Sequence, residues 1–278
     1  MNEEQRFAFG ENWKAFLTTL DEERISHAVE SLRTMLRTQS LVGKRFLDIG
    51  CGSGLFSLAA HRLGARVLSI DYDHDSVGCT QQIREQFGDN SPAWAIQQGS
   101  VLDEALIESL GQFDVVYSWG VLHHTGDLCR AIELASKPVA PGGQFLIAIY
   151  NDQGRPSRRW LRIKQIYHRL PRRLRPVWVV LIAGIYELKF AAARLARMNN
   201  PLPFADWRAK KRDRGMSAWH DWVDWIGGLP FEVATPDQVV RSLADKGFVL
   251  ETQTLVGKGW GCNEFVFRAR ETPGNRSA

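Results

Sequence analysis

The chain has 278 residues and a net charge of +4, from 35 lysines and arginines against 31 aspartates and glutamates. This length can bury a full hydrophobic core, so we expect one domain with an insertion. The cysteines form no CxxC pair, which argues against a disulfide framework or a zinc site and for a reducing compartment. The acidic N-terminus has no apolar signal region, so we expect a cytoplasmic protein.

The positive charge is confined to one segment. Residues 155–214 contain 17 basic and 3 acidic residues, an excess of +14, whereas the rest of the chain carries −10. Such an uneven distribution of charge is better explained by an anionic partner than by a general need for solubility. No cluster of ligand residues in the sequence suggests a metal.

Residues 1–40 predict an N-terminal cap of two helices. The first has an apolar face made of Phe9, Trp13, Phe16, Leu17 and Leu20. Asp21 is the expected N-cap of the second helix, which runs to about Arg37. The aromatic face is interpreted as packing.

The stretch Arg45–Asp71 predicts a strand, a glycine turn, a helix and a second strand. Phe46–Ile49 is a short apolar run, typical of a strand buried on both faces of a parallel sheet. In the turn, the lack of a Cβ lets a ligand approach the amides at the start of the next helix closely, at Gly50, Gly52 and Gly54. Asp71 ends the second strand, where its carboxylate can accept two hydrogen bonds from a ribose diol.

Strands and helices alternate along most of the chain. Strands are expected at 46–49, 67–70, 94–98, 113–119, 144–150, 248–255 and 263–268, and helices at 55–63, 75–87, 127–137 and 236–246. The last two strands form a hairpin, so the final strand runs antiparallel. The fold class is therefore α/β, a doubly wound, seven-stranded and mostly parallel sheet with N-terminal helices and a helical insertion between strands 5 and 6.

The run Asp48-Ile49-Gly50-Cys51-Gly52-Ser53-Gly54 distinguishes two kinds of nucleotide site. A dinucleotide fingerprint needs a third glycine at position 55, where this chain has Leu55. The run instead resembles the first motif of class I S-adenosylmethionine-dependent methyltransferases, acidic-x-Gly-x-Gly-x-Gly. Within that superfamily the chain looks most like the bacterial ubiquinone- and menaquinone-methylase type, which acts on small molecules.

The resemblance implies S-adenosylmethionine as cofactor and a Rossmann-like core of residues 41–150 and 231–270. Residues 151–230 then form a basic and aromatic helical lid over the acceptor, and 271–278 a disordered tail. The first N-terminal helix is expected to cover the cofactor. The family often has an acidic residue near the adenine where this chain has Ser100, whose hydroxyl is expected to substitute. The implied cofactor site comprises Asp48, Gly50, Cys51, Gly52, Gly54, Asp71, Tyr72, Ser100, Val101 and Ser118.

Two histidines follow the fourth predicted strand, where ligands of open α/β sheets bind. His123 and His124 are candidate general bases for a hydroxyl acceptor, because an imidazole titrates near neutrality. His220, in the run WHDWVDW, is a third candidate, although this run also fits aromatic packing with solvated charges. Candidate acceptor contacts are Trp119, Arg155, Arg214, Trp219 and Trp222.

These residues predict O-methylation of a small anionic or amphiphilic metabolite by in-line methyl transfer. The apolar run 177–186 is too short to span a bilayer. Three interpretations of it remain: a buried helix, a homodimer face, or peripheral membrane contact through residues 155–190. The alternative acceptor is therefore an isoprenoid quinone or another lipid-linked substrate at a membrane surface. RNA methylation is disfavoured because the sequence has no recognised RNA-binding module, and a cofactor-binding scaffold without turnover remains a further alternative.

Overall fold

The computed structural model describes residues 13, 17, 20–89, 91–198, 200–203, 207, 218–257 and 259–271, with the backbone alone at 218, 220, 221 and 224. Several sequence predictions lie outside this part of the chain. They concern Phe9, Phe16, Arg214, the side chain of His220 and the tail from residue 272 onwards.

Seven strands form one sheet in the order β3-β2-β1-β4-β5-β7-β6. All neighbouring pairs from β3 to β5 are parallel, whereas β7 is antiparallel to both β5 and β6, as the hairpin predicts. The strands are β1 (Arg45–Ile49), β2 (Arg66–Asp71), β3 (Trp94–Gln98), β4 (Phe113–Trp119), β5 (Val139–Tyr150), β6 (Phe248–Thr254) and β7 (Cys262–Ala269).

Helices cover both faces of the sheet, which confirms the doubly wound α/β prediction. One core cluster joins the sheet to α1, α2 and α3, and another joins it to α4, α5 and α9. The described helices are α1 (Glu22–Leu36), α2 (Leu55–Arg62), α3 (His74–Phe87), α4 (Glu104–Ser109), α5 (Leu128–Ser136), α6 (Arg155–Arg169), α7 (Arg175–Ala196), α8 (Ala218–Gly227) and α9 (Pro236–Ala244), with 3-10 turns at Leu122–His124 and Arg172–Leu174.

Local sequence signals set the helix starts. Asp21 accepts a hydrogen bond from the Arg24 amide as the N-cap of α1. Thr235 and Gln238 form a reciprocal capping box at α9. These contacts confirm the predicted starts of both helices.

Two predicted boundaries are wrong. β5 begins at Val139 rather than Gln144, because Val139 already pairs with Phe113 ahead of a register shift in the β4–β5 ladder. The apolar run 177–186 belongs to the 22-residue helix α7, which continues through Glu187 and Lys189. Those two charges do not end the helix, because glutamate and lysine are both good helix formers.

The insertion between β5 and β6 has its own hydrophobic cluster. Helices α6, α7 and α8 contribute its buried members, which are Trp160, Ile163, Tyr167, Val179, Ile182, Tyr186, Trp222 and Ile226. Within the described residues, one helical segment, Arg172–Ala196, could cross a membrane as judged by its length and composition alone.

The turn from β1 to α2 needs glycine for conformation and for space. Gly50, Gly52 and Gly54 have φ of +75°, +54° and +85°, a region that L side chains rarely adopt. A Cβ on Gly50 would also lie 2.4 Å from both methyl carbons of Val121, in the segment after β4. The turn is therefore packed directly against the end of the neighbouring strand.

We expect Gly50→Ala to lower the free energy of unfolding by about 1–3 kcal/mol more than Gly120→Ala, as typical for overpacking. Gly120 is a matched control, because its φ of +76° is the same while a Cβ there meets nothing within 4 Å. Urea denaturation of both variants measures the difference. The double variant Gly50→Ala/Val121→Ala should recover part of it, and equal losses in the two single variants would contradict the packing argument.

Candidate functional site

The carboxyl ends of β1 and β2 are joined through the glycine turn. The Ile70 carbonyl accepts the amides of both Gly50 and Cys51, at 2.8 and 3.1 Å. The Asp71 carboxylate accepts the Gly52 amide and the Asp73 amide, both at 2.9 Å. Burial raises the pKa of Asp71 to about 6. Asp71, the residue predicted to bind a ribose, is thus already anchored at the turn. Each of its carboxylate oxygens can still accept a further hydrogen bond.

An open depression of ≈540 Å³ lies beside Asp71, at the ends of β2 and β3. Its lining comprises Tyr72, Asp73, His74, Gln98, Gly99 and Ser100. The Ser100 hydroxyl accepts the Leu102 amide at 3.1 Å, and Val101 beside it is buried. The depression borders two of the predicted cofactor residues, Tyr72 and Ser100.

Asp48 faces the helix rather than the turn amides. Its carboxylate accepts the Ser57 hydroxyl at 2.5 Å, Ser57 accepts from Ser69 at 2.7 Å, and Trp94 donates its indole N–H to Ser69 at 2.8 Å. Burial raises the pKa of Asp48 to about 7, although the Ser57 bond acts in the opposite direction. This buried chain of hydrogen bonds fixes α2 against β1 and β2.

The first N-terminal helix reaches the turn through Trp13. A Cβ on Gly52 would lie 3.0 Å from the indole Cε2, so the ring lies directly against this glycine. Cys51 is buried in the turn, where its sulfur accepts the Thr80 hydroxyl at 3.2 Å and burial raises its thiol pKa well above the usual value. That this helix covers a bound cofactor stays a prediction.

Two predicted residues end β4. Ser118 is fully buried, and its hydroxyl donates to the Ile49 carbonyl at 2.9 Å, which ties the ends of β4 and β1. The indole N–H of Trp119 donates to Glu264 on β7 at 2.8 Å, with 40% of the residue exposed. The Ser118 side chain therefore supports the sheet edge, whereas Trp119 presents its ring to solvent.

The structure separates the two histidines that follow β4. His123 is fully buried, and its Nδ1 accepts the Tyr150 amide at 3.3 Å. His124 is half-buried, and its Nδ1–H donates to the Pro230 carbonyl at 2.6 Å, because a carbonyl oxygen can only accept. The lone pair of neutral His124 is consequently on Nε2, the position needed to take a proton.

Burial keeps both imidazoles neutral, so the expectation that they titrate near neutrality is wrong. Burial lowers the pKa of His123 well below its ordinary value and that of His124 to about 4. Lys164 of α6 adds to both shifts through its charge. These environments favour a structural role for His123 and leave His124 as the better placed candidate base.

An aromatic cluster not predicted as a site lies between the insertion and the end of β5. The Tyr150 ring centroid is 5.6 Å from that of Trp225 and 5.5 Å from that of Phe231, while Trp160 is 5.2 Å from Trp260. The partly open cavity between these rings measures ≈20 Å³, about the room of one water molecule. An acceptor therefore enters only if these side chains move apart. The Trp225 position could have been suspected from the spacing of tryptophans in WHDWVDW.

Lys164 is a second residue that sequence reasoning missed. It is 1% exposed, its Nζ donates to the Trp225 carbonyl at 2.5 Å, and it lies 4.9 Å from the Phe231 ring centroid. A buried ammonium beside aromatic faces is a cation–π arrangement. Its only sequence signal was a position on the apolar face of a basic helix.

The remaining predicted acceptor residues are dispersed. Trp222 is buried in the insertion cluster and donates to Glu187 at 3.3 Å, which favours the packing interpretation. Trp219 is 45% exposed, and Arg155 is exposed in the first turn of α6. Their contact with an acceptor stays a prediction.

The chain resembles curated ubiquinone biosynthesis O-methyltransferases over part of its length. It is 34% identical to the Sinorhizobium fredii protein over 113 residues, 41% of this chain and 44% of that one. It is 30% identical to the Methylococcus capsulatus protein over 128 residues, 45% and 52% of the two chains. The chain thus spans about half the length of the curated relatives it matches.

Solved methyltransferases share the fold. A magnesium protoporphyrin IX methyltransferase from Synechocystis PCC 6803 with bound SAH superposes with a TM-score of 0.51 at 14% identity, covering 90% of this chain and 88% of that one. An O-methyltransferase family protein from Burkholderia thailandensis gives 0.51 at 14% identity, with 90% and 59% covered. A family model described as a methyltransferase domain matches residues 20–181. This match covers more than half of the chain, which therefore belongs to the methyltransferase-domain family.

Proposed function

We propose that this protein is an S-adenosylmethionine-dependent methyltransferase that methylates a hydroxyl group of a small anionic or amphiphilic metabolite. The observation that carries the proposal is the turn of three left-handed glycines, tied through the Gly52 amide to the Asp71 carboxylate. This arrangement exposes backbone where a ligand needs close approach and supplies an acceptor for a ribose diol.

The residues present fit this cofactor. Asp71 would hold the ribose, the depression beside Tyr72 and Ser100 would take the adenine, and the glycine turn under Trp13 would take the amino-acid tail. When bound, S-adenosylmethionine supplies a methyl group that a positively charged sulfur already activates for displacement. The protein's main contribution is to align donor and acceptor, an effect of about 7–11 kcal/mol in favourable cases.

His124 is the proposed base. Its Nδ1–H is held by Pro230, so Nε2 can take the proton of an acceptor hydroxyl. A positioned base contributes about 10²–10⁴ in rate. The similarity to O-methyltransferases of ubiquinone biosynthesis supports a hydroxyl acceptor.

An isoprenoid quinone precursor or another lipid-linked acceptor is the second candidate. It is favoured by the contact between helix α7, which has an exposed apolar face, and the aromatic cluster. Tyr186 and Phe190 of α7 have ring centroids 4.9 and 5.7 Å from that of Trp260. A long apolar tail lying along these two rings would therefore approach the cluster beside the histidines.

We expect the protein to bind S-adenosylmethionine and not NADH in calorimetric titrations. Asp71→Ala should weaken binding about 10–150-fold, the loss of roughly 1.5–3 kcal/mol typical of hydrogen bonds to a charged group. Asp89→Ala removes an exposed carboxylate elsewhere in the chain and serves as the control. Unchanged affinity in Asp71→Ala would remove the ribose role, and absence of S-adenosylmethionine binding by the wild type would overturn the proposed function.

Methyl transfer should fall by about 10²–10⁴ in His124→Ala while cofactor binding is retained. The assay measures transfer of labelled methyl groups to a soluble hydroxylated benzoate and to the same ring with an isoprenoid tail, presented in vesicles. Activity on the first favours the small anion, and activity on the tailed ring alone favours the lipid-linked acceptor. His27→Ala, an exposed histidine of α1, is the control, and full turnover in His124→Ala would exclude it as the base.

The free energy of unfolding of Asp48→Asn minus that of the wild type should increase as the pH rises from about 4 to 7 and level off above pH 7. Unfolded Asp titrates near pH 3.9, so between about pH 4 and 7 native Asp48 holds a proton that the unfolded chain has lost, and wild-type stability falls with rising pH. The difference should increase by up to about 1.4 kcal/mol per pH unit. Urea unfolding across this range measures it, with Asp103→Asn as the control exchange. A pH-independent difference would show that Asp48 is ionised throughout.

A further inference from the structure

Helix α7 presents a long apolar stripe to solvent. Its members lie three, four or seven residues apart along one side, at Val177, Leu181, Ile185, Leu188 and Leu195, and Leu174 just before the helix continues the stripe. These six side chains are between 42% and 72% exposed. At 1.5 Å per residue the stripe is about 30 Å long. No charged residue occupies this face, because Arg175, Glu187, Lys189 and Arg194 lie outside its angular range.

The opposite face of α7 is packed within the insertion. Val179, Ile182 and Tyr186 are buried against α6 and α8. Glu187 accepts the Trp222 indole N–H at 3.3 Å, and the Tyr186 ring stacks 4.9 Å from Trp160. The helix is thus held on the protein by one side while the other side has no partner within the described chain.

The neighbouring helix α6 and the turn before α7 carry a row of exposed arginines. The exposed face of α6 and the turn after it carry Arg155, Arg158, Arg159, Arg162, Arg169, Arg172 and Arg173. Arg172 and Arg173 directly precede Leu174 at one end of the stripe. Arg159 of α6 lies 5.9 Å from the Tyr186 ring centroid on the packed side of α7, so the two helices are neighbours. None of the seven forms an ion pair with another described residue.

We propose that the stripe of α7 and the arginine row of α6 together dock this protein on an anionic phospholipid surface. An interfacial helix buries its apolar side among acyl chains while flanking cations bind phosphate headgroups. The charge distribution favours a phospholipid surface over a second copy of this chain as the partner of the stripe. A two-fold dimer through the stripe would bring together two segments that each carry an excess of +14, whereas an anionic bilayer neutralises that charge. This docking does not rest on the proposed methyl transfer.

Sedimentation of the full chain with lipid vesicles tests the proposal. We expect binding to phosphatidylcholine vesicles that contain phosphatidylglycerol and much weaker binding to phosphatidylcholine alone. Raising the salt from about 0.1 M to about 1 M, which shortens the Debye length from about 10 to 3 Å, should weaken it. Arg162→Glu/Arg169→Glu should lower affinity by at least about tenfold, since each basic residue at such a surface contributes about fivefold.

Leu181→Asp/Leu188→Asp should also lose vesicle binding by at least about tenfold, because it places charge in the apolar stripe. Val42→Asp and Arg66→Glu are the matched controls, since both alter exposed residues outside the insertion and should bind as the wild type does. Circular dichroism checks that every variant is folded. No binding by the wild type, or unchanged binding by Leu181→Asp/Leu188→Asp, would overturn the proposal. A wild-type dimer that this variant dissociates, without vesicle binding, would assign the stripe to a second copy.

Discussion

The end of β2 holds the whole ligand-binding edge in place. One carbonyl, that of Ile70, accepts two successive amides of the glycine turn, and the next residue, Asp71, accepts a third. Because these bonds run from β2 to the turn after β1, they also set where α2 begins. The Val121 side chain then closes on Gly50 from the β4 side. This small set of contacts thus positions the ends of β1 and β2, the start of α2 and the segment after β4 that contains the histidines.

The insertion is joined to that edge at three places. It leaves β5 beside Tyr150, which contacts both the histidines and Trp225. It returns through residues 229–234, where the Glu232 amide donates to the His123 carbonyl and the Ala234 amide to that of Tyr150. The β6–β7 loop is tied on by Asn151, which donates to the Gly257 carbonyl at 2.8 Å. An aromatic enclosure therefore forms from segments far apart in the chain.

Most of the sheet could be predicted from local pattern, whereas the enclosure could not. Strand β3 and strand β4 match their predicted limits, because short apolar runs between turn residues carry the signal. The sequence alone did not distinguish the roles of two adjacent residues of the same type. His123 and His124 are adjacent, yet one is buried under Tyr150 and the other bonds to a carbonyl from a distant segment. Lys164 likewise needed the tertiary structure, since its burial depends on the path of residues 225–231.

Residues 229–234, which return from the insertion, connect the start of α5 to His124. Glu232 accepts the amides of Gly126 and Leu128 at the start of α5, and Pro230, two residues earlier, fixes the tautomer of His124. Phe231, which contacts Tyr150 in the aromatic cluster, lies between these two residues. A displacement of that stretch by about an ångström would exceed hydrogen-bond length and free the His124 ring to rotate. The packing of the aromatic cluster and the orientation of His124 consequently depend on the same three residues of the chain.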